Sequence, residues 1–244
     1  MFHDLKENEQ HYDRVLRTKP SLYFERFDAD LLEKRPIVAG LLKKAFVTLF
    51  PDNAGTVLDL GCGTGFYFPI LAGHATQLTG VDVCLPMLEQ AQATIDACGL
   101  SNCRVLKSSA SEIPLEDQSI DVVHSWDFLH HVSDINRVLA EIKRVLKPGG
   151  RYVAIEPNLL NPSITWYHAR RRSEWRLFLQ NQFTLTRRLK KDFDIRLRYD
   201  NTIISFLNER TFWIWKSVDR LTSVAPFRKL AFRYVLDCRM RTVR

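Results

Sequence analysis

One glycine-rich segment, residues 57–67, constrains the fold of this 244-residue chain more than any other. It holds a short apolar run that includes Asp59, and glycines follow at alternate positions, Gly61, Gly63 and Gly65. A buried strand that ends in such a loop lets main chain approach a ligand where any Cβ would collide. A helix that begins near Gly65 would present unpaired N–H groups to a carboxylate or phosphate. The segment therefore predicts a βα turn that binds a nucleotide-like ligand.

The glycine spacing does not fit the dinucleotide fingerprint G-x-G-x-x-G. Counted from Gly61, its third glycine would fall on Phe66, which cannot replace it. A second acidic residue, Asp82, ends the strand-like run 77–83 and lies 82 − 59 = 23 positions after Asp59. A carboxylate at this point of a βαβ unit accepts hydrogen bonds from ribose hydroxyls. The alternative interpretation is that Asp82 caps the helix that starts near Pro86.

Strand-like and helix-like segments alternate along the middle of the chain. Further strands are predicted at 104–107 and 120–125, and residues 145–157 read as the end of a helix, a Lys-Pro-Gly-Gly turn and a fifth strand. Such alternation predicts an α/β fold with a doubly wound parallel sheet.

Four motifs, in this order, together resemble one known family. They are Asp59-x-Gly-x-Gly-x-Gly with Asp82, then segment 109–114, segment 126–132, and segment 145–157. The set resembles the class I, seven-strand S-adenosylmethionine-dependent methyltransferases over roughly residues 55 to 157. The resemblance implies a mostly parallel seven-stranded sheet whose last strand is antiparallel, with S-adenosylmethionine as cofactor. Residues 194–199 and 232–238 would then supply strands six and seven.

The resemblance also implies a set of cofactor-binding residues. Ser109 stands where the family usually has an acid beside the adenine, and its hydroxyl can still accept a hydrogen bond. Cys62 lies within the glycine loop, where a small buried thiol is expected rather than a nucleophile. The predicted cofactor-binding residues are Asp59, Gly61, Cys62, Gly63, Gly65, Asp82, Val83, Met87, Ser109, Ala110, Ser125 and Trp126.

Candidate catalytic residues follow the fourth strand. Asp127, His130 and His131 are predicted at the carboxyl edge of the sheet, where ligands bind in open α/β folds, and Glu156 ends strand five nearby. Methyl transfer from a sulfonium is an in-line displacement, so the protein mainly aligns donor and acceptor and excludes water. A hydroxyl acceptor would need a general base, for which histidine has a suitable pKa. The alternative is that the histidine pair is structural.

The C-terminal third is basic and aromatic. Residues 159–244 hold 19 Lys and Arg against 7 Asp and Glu, a formal net charge of +12, and four of the five tryptophans. Helices are predicted from 161 to 178, from 186 to 193 and from 208 to 221, the last with the aromatic run Phe212 to Trp215. Such a surface suits anionic lipid, nucleic acid or an acidic small substrate. The alternative is a solvated arginine face over an ordinary aromatic core.

The chain is expected to form one methyltransferase domain with three parts. Residues 1–52 would be a helical cap with helices at 21–33 and 37–50, residues 53–157 the cofactor-binding core, and residues 158–244 a basic, aromatic substrate or lid region. Four N-terminal side chains are candidates for the acceptor pocket, with ordinary packing as the alternative: Tyr12, Tyr23, Phe24 and Arg26.

Composition bears on the cellular compartment and on whether the chain holds disulfides or a metal site. The five cysteines are scattered without a C-x-x-C pair, which argues against a disulfide framework or a zinc site, and no metal is expected. The sequence shows no signal peptide and no apolar stretch that could span a bilayer. A cytoplasmic protein is expected, with peripheral membrane association as an option.

Three functional hypotheses remain. The first is a methyltransferase acting on a small-molecule or lipid-linked acceptor, at oxygen, with contact to anionic membrane through the basic aromatic helices. The second is an RNA methyltransferase that uses the basic third, although nucleic acid is the weaker partner. The third is a non-catalytic module that binds cofactor or membrane.

Overall fold

A seven-stranded mixed sheet forms the centre of the protein. The computed structural model describes residues 34, 36–50, 53–171, 175–201, 217, 220–222 and 224–242. The strands lie in the order β3-β2-β1-β4-β5-β7-β6. Their bounds are β1 Thr56–Leu60, β2 Gln77–Asp82, β3 Cys103–Lys107, β4 Ile120–Trp126, β5 Leu146–Pro157, β6 Phe193–Asp200 and β7 Arg233–Met240.

Strand directions confirm the predicted doubly wound fold. From β3 to β5 every neighbouring pair is parallel. β7 inserts between β5 and β6 and runs antiparallel to both. The carboxyl ends of β1, β2, β4 and β5 therefore meet at one edge of the sheet, together with the amino end of β7.

Helices cover both faces of the sheet. One buried core includes Phe46, Val57 and Val122, and the other includes Leu58, Val123 and Ile142, so alternate residues of each strand face opposite cores. The helices are α1 Pro36–Leu49, α2 Phe68–Leu71, α3 Leu85–Ala97, α4 Ile135–Val145, α5 Pro162–Ala169, α6 Arg176–Leu179 and α7 Gln182–Leu189, with 3₁₀ turns at Leu129–His131 and Phe227–Leu230. None of the described helices has the length and apolarity that a bilayer crossing requires.

The Lys-Pro-Gly-Gly turn lies inside β5 rather than before it. Leu146 pairs with Ile120, and the next pair joins Arg151 to Val122, so residues 147–150 bulge out of the ladder. Despite this bulge, β5 runs from Leu146, directly after α4, to Pro157.

Several helix boundaries differ from prediction. α2 begins at Phe68, not near Gly65, because Gly65 has a φ of 69°, which is incompatible with a right-handed helix. α5 is capped by Asn161, where the helix was predicted to begin, but it ends at Ala169 instead of continuing to residue 178.

The other differences concern α7 and the ends of the chain. α7 starts at Gln182, four residues earlier than predicted, because Asn181 and Thr184 form a capping box there. The predicted helix at 21–33 and most of that at 208–221, including Trp213 and Trp215, lie outside the described residues, as do the pocket candidates Tyr12, Tyr23, Phe24 and Arg26.

Candidate functional site

The glycine loop after β1 is fixed to the end of β2 by main-chain hydrogen bonds. The amides of Gly61 and Cys62 donate to the Val81 carbonyl at 2.8 and 3.2 Å. The Gly63 amide donates to Oδ2 of Asp82 at 3.0 Å, and the Cys84 amide donates to Oδ1 of the same carboxylate at 2.9 Å. Asp82 therefore holds the loop and the start of α3 in one arrangement.

Asp82 supports the start of α3 without being its cap, and its predicted ribose contact is compatible with this geometry. It accepts a bond near the start of α3, although the cap residue itself is Cys84. Burial raises the pKa of the Asp82 carboxyl, while the amides of Cys84, Gly63 and Val83 act in the opposite direction. Each carboxylate oxygen has more than one lone pair, so both can accept a further donor from a ribose. That contact stays a prediction.

The glycines of the site differ in what surrounds them. A Cβ on Gly61 would lie 2.3 Å from the Phe128 ring, so this glycine is required for packing. Gly63 has a φ of 53°, and a Cβ there would meet none of the described residues within 4 Å. A side chain at Gly63 would therefore extend into space that the described residues leave open above the loop. This space and the Asp82 carboxylate beside it fit the cofactor implied by the sequence.

Gly80 of β2 lies close to the side chains of Phe68 and Cys62, a contact that was not identified from the sequence. A Cβ on Gly80 would lie 2.5 Å from the Phe68 ring and 2.8 Å from Sγ of Cys62. A glycine within a strand is a recognised signal for such an approach, and it stood in the predicted run 77–83. Burial raises the pKa of the Cys62 thiol well above its ordinary value, which favours the protonated thiol near neutral pH.

Asp59 lies against a histidine of the neighbouring strand. Its Oδ1 is 2.6 Å from Nδ1 of His124, its register partner on β4, and both side chains are buried. The rings of Phe46 and Phe50 lie 5.6 Å from the imidazole. The pair thus joins β1 to β4 beneath the glycine loop. The sequence did not reveal His124 as the partner, and the predicted cofactor contact of Asp59 stays a prediction.

The remaining predicted cofactor residues follow the ends of β2, β3 and β4. Met87 is buried in α3, while Val83 and Ala110 are partly exposed. The Ser109 hydroxyl accepts from the Ser111 amide at 3.1 Å. Ser125 is fully buried and shares a 2.9 Å hydrogen bond with the Tyr152 hydroxyl, which connects β4 to β5.

Trp126 and Asp127 lie beside a guanidinium that the sequence did not point to. The Trp126 ring stacks on Tyr67 at 4.6 Å, and the Arg233 guanidinium lies 5.5 Å from the Trp126 ring centre. Arg233, the first residue of β7, forms a partly buried ion pair with Asp127, whose φ is 49°. Burial opposes the charge on Arg233, but Asp127 outweighs it and raises the pKa of the guanidinium. The pair closes the edge of the sheet over β4 and β5.

Glu156 organises the segment that carries the histidines. This fully buried carboxylate accepts from the amides of Phe128 and Leu129 at 3.0 and 2.7 Å through Oε1. Its Oε2 lies 2.6 Å from Nδ1 of His130. The His131 ring is partly exposed, and its centre is 4.0 Å from that of His130. Glu156 thus sets the orientation of His130.

The three candidate catalytic residues come together at one edge. Asp127, His130 and His131 follow β4 directly, and the glycine loop approaches them through the contact of Gly61 with Phe128. Within the described part of the chain, no group of three His, Cys, Asp or Glu side chains could hold a metal ion. This edge therefore brings a carboxylate and two histidines beside the fixed glycine loop, and their catalytic roles stay a prediction.

Comparison with known proteins agrees with this geometry. The sequence model described as "Methyltransferase domain" matches residues 58–154. The chain is 31% identical over 100 residues to the sterol 4-C-methyltransferase strm-1 of Caenorhabditis elegans, covering 41% of this chain and 30% of that protein. It is 38% identical over 115 residues to the demethylmenaquinone methyltransferase of Lactococcus lactis, covering 46% and 45%. These alignments span less than half the length of either relative.

Solved structures share the fold at low identity. The geranyl diphosphate C-methyltransferase of Streptomyces coelicolor superposes with a TM-score of 0.60 at 16% identity, covering 83% of this chain and 77% of that one. The matched segment contains the glycine loop, Asp82 and β4, and the superposed fold extends well beyond it. Residues 58–154 thus match the methyltransferase-domain family, and the seven-stranded fold is the one found in solved S-adenosylmethionine-dependent methyltransferases.

Proposed function

We propose that this protein transfers a methyl group from S-adenosylmethionine to a small-molecule or lipid-linked acceptor, at an oxygen atom. The observation that carries the proposal is the space over Gly63, which the described side chains leave open beside the Asp82 carboxylate. The relatives support the acceptor class, because their names refer to a sterol, a menaquinone precursor and geranyl diphosphate.

The residues of the loop would bind and orient the cofactor. Asp82 would accept hydrogen bonds from the ribose hydroxyls while the Gly63 amide keeps its carboxylate in place. The bound sulfonium supplies a methyl group that is already activated for displacement. The stacked rings of Trp126 and Tyr67 would exclude water from one side of the cleft.

The segment after β4 would handle the acceptor. His130 is buried, and its Nδ1 is bonded to the Glu156 carboxylate, so the proton of a neutral imidazole lies on Nδ1 and a base at this position would act through Nε2. Asp127 would position that segment through its ion pair with Arg233. His131, partly exposed beside His130, is the second candidate base.

Cofactor binding is tested with two glycine variants that share the same backbone strain. Gly63 and Gly99 both have positive φ, 53° and 61°, and at both a Cβ would meet nothing within 4 Å. Only Gly63 lies in the proposed cleft, because Gly99 follows α3. In calorimetric titration with S-adenosylmethionine, Gly63→Val and Asp82→Asn should abolish or strongly weaken binding, and Gly99→Val should bind like the wild type. Wild-type affinity in Gly63→Val and Asp82→Asn would overturn the proposed site.

The acceptor is tested with a radiolabelled methyl donor and fractionated cell extract. Label in the lipid or small-metabolite fraction supports the proposal, and loss of that label in His130→Ala supports the assigned base. Label in the RNA fraction would contradict the proposed acceptor and would favour an RNA acceptor, the alternative suggested by the +12 charge of residues 159–244. Cofactor binding with no label in any fraction would instead favour a non-catalytic module.

A further inference from the structure

The short helix α6 turns its apolar stripe outward. Trp175, Phe178 and Leu179 have helical spacing i, i+3 and i+4, and they are 64%, 37% and 71% exposed, whereas Leu177 is fully buried. Phe183, at the start of α7, is 61% exposed. The side chains of Trp175, Phe178, Leu179 and Phe183 are called the apolar patch below.

Hydrogen bonds hold the apolar patch together across the junction of α6 and α7. The Asn181 amide nitrogen Nδ2 donates to the Phe178 carbonyl at 2.9 Å, and the Thr184 hydroxyl donates to the Leu179 carbonyl at 2.7 Å. The two helices therefore meet at a fixed angle, and Phe183 continues the surface formed by α6.

The apolar patch is not needed to complete the core. α6 is anchored by Leu177, and α7 by Leu185 and Leu189, which are all buried. Gln180 adds a hydrogen bond from its Nε2 to the Val132 carbonyl at 2.8 Å. The inner faces of both helices are thus packed, and their outer face carries large apolar side chains that cost free energy in water.

The sequence around the apolar patch is mostly basic. Residues 162–190 contain seven Arg and Lys against a single acidic residue, Glu174. Arg187 and Lys190 are exposed on α7. On α5, the Arg170 guanidinium lies 4.2 Å from the ring centre of Trp166, which is itself 61% exposed. Tryptophan and leucine flanked by arginine and lysine are typical of surfaces that lie in the headgroup region of an anionic bilayer.

The apolar patch is also close to the candidate catalytic segment. α6 packs against the 3₁₀ turn Leu129–His131, and Gln180 bonds the residue that follows this turn. If the apolar patch rests on lipid, α6 therefore lies between the bilayer and the turn that carries His130.

We infer that the apolar patch docks on the surface of an anionic lipid bilayer. Apolar side chains enter the boundary between headgroups and acyl chains, while the surrounding arginines and lysines contact lipid phosphates. A nucleic acid would use the same charges but would not account for an outward stripe that includes Leu179 and Phe178.

Vesicle co-sedimentation tests this inference without any methyl donor, so its outcome is independent of the proposed function. The wild type should bind vesicles of phosphatidylcholine with phosphatidylglycerol and bind phosphatidylcholine alone much more weakly. Trp175→Ser with Leu179→Ser should lower the partition coefficient at least about tenfold. Arg187→Glu with Lys190→Glu should lower it on anionic vesicles and remove most of its salt dependence.

The matched control is Val47→Ser on α1, because Val47 is 63% exposed and lies outside the apolar patch. Val47→Ser should bind vesicles like the wild type, and circular dichroism should show that every variant is folded. Unchanged vesicle binding in Trp175→Ser with Leu179→Ser would overturn the inference. A wild-type dimer in sedimentation velocity that the same double variant dissociates, without vesicle binding, would also overturn it and assign the apolar patch to self-association.

Discussion

Replacing Glu156 by glutamine should destabilise the protein and loosen the segment after β4. Glu156 is fully buried and accepts three hydrogen bonds, from the amides of Phe128 and Leu129 and from Nδ1 of His130. Glutamine has nearly the same shape, so the change tests the charge of the carboxylate rather than its volume.

The magnitude follows from these three bonds. A hydrogen bond to a charged group contributes about 1.5–3 kcal/mol, and one between neutral groups about 0.5–1.5 kcal/mol. The amide oxygen of the introduced glutamine can keep both main-chain donors at the lower strength, but its NH₂ group faces Nδ1 of His130 as a second donor. Relief from burying a charge offsets part of this loss. The free energy of unfolding should therefore fall by about 2 kcal/mol.

Urea unfolding followed by tryptophan fluorescence measures this change. Glu112→Gln is the matched control, because the Glu112 side chain is 84% exposed, and its free energy of unfolding should stay within about 0.5 kcal/mol of the wild type. A double-mutant cycle with His130→Phe should give a coupling energy of about 1 kcal/mol or more, since the two side chains contact each other. Wild-type stability in Glu156→Gln, or additive effects in the cycle, would refute the assigned role.

Three further predictions concern other parts of the sheet. Burial raises the pKa of Asp121, but hydrogen bonds from Lys147 and Thr56 outweigh this effect and leave its pKa lowered. Asp121→Asn should therefore lower the free energy of unfolding by about 1 kcal/mol near neutral pH. This difference from the wild type should disappear as the pH falls through the folded-state pKa of Asp121, as urea unfolding at neutral and at acidic pH can show. Iodoacetamide should alkylate exposed Cys98 in the native protein and Cys62 only after unfolding, as peptide mass spectrometry can show; native labelling of Cys62 would contradict its burial. Arg233→Gln removes the partner of Asp127, so amide hydrogen exchange in residues 127–131 should accelerate about tenfold, and unchanged protection would show that the ion pair does not hold this segment.

Most of the strands could be predicted from sequence because they contain short apolar runs between turn signals. β2, β3, β4 and β6 were predicted to within one residue at each end. Parallel strands that are buried on both faces read as continuous apolar runs, so their type is well determined by composition alone. The glycine loop and Asp82 were found for a similar reason, since their chemistry is local in sequence.

The partners of the site residues could not be predicted, because they depend on strand order and register. His124 lies opposite Asp59 only because β4 pairs with β1, 65 positions later. Arg233 reaches Asp127 across 106 positions, and it does so because β7 runs antiparallel beside β5. No local pattern encodes such contacts.

Helix ends were less predictable than strands. Because Gly65 has a φ of 69°, α2 begins later in the sequence than predicted, and the presence of a glycine does not reveal the sign of its φ. The capping box of Asn181 and Thr184 starts α7 earlier, although an asparagine three positions before a threonine is a weak signal in isolation.

The position of β7 determines when the sheet can be completed during synthesis. β6 leaves the ribosome first, and its neighbour in the described sheet, β7, is made later and fills the gap beside β5. The same arrival delivers Arg233 to Asp127. The nascent chain can therefore form the glycine loop early, but the edge that carries the histidines matures only when the last strand is in place.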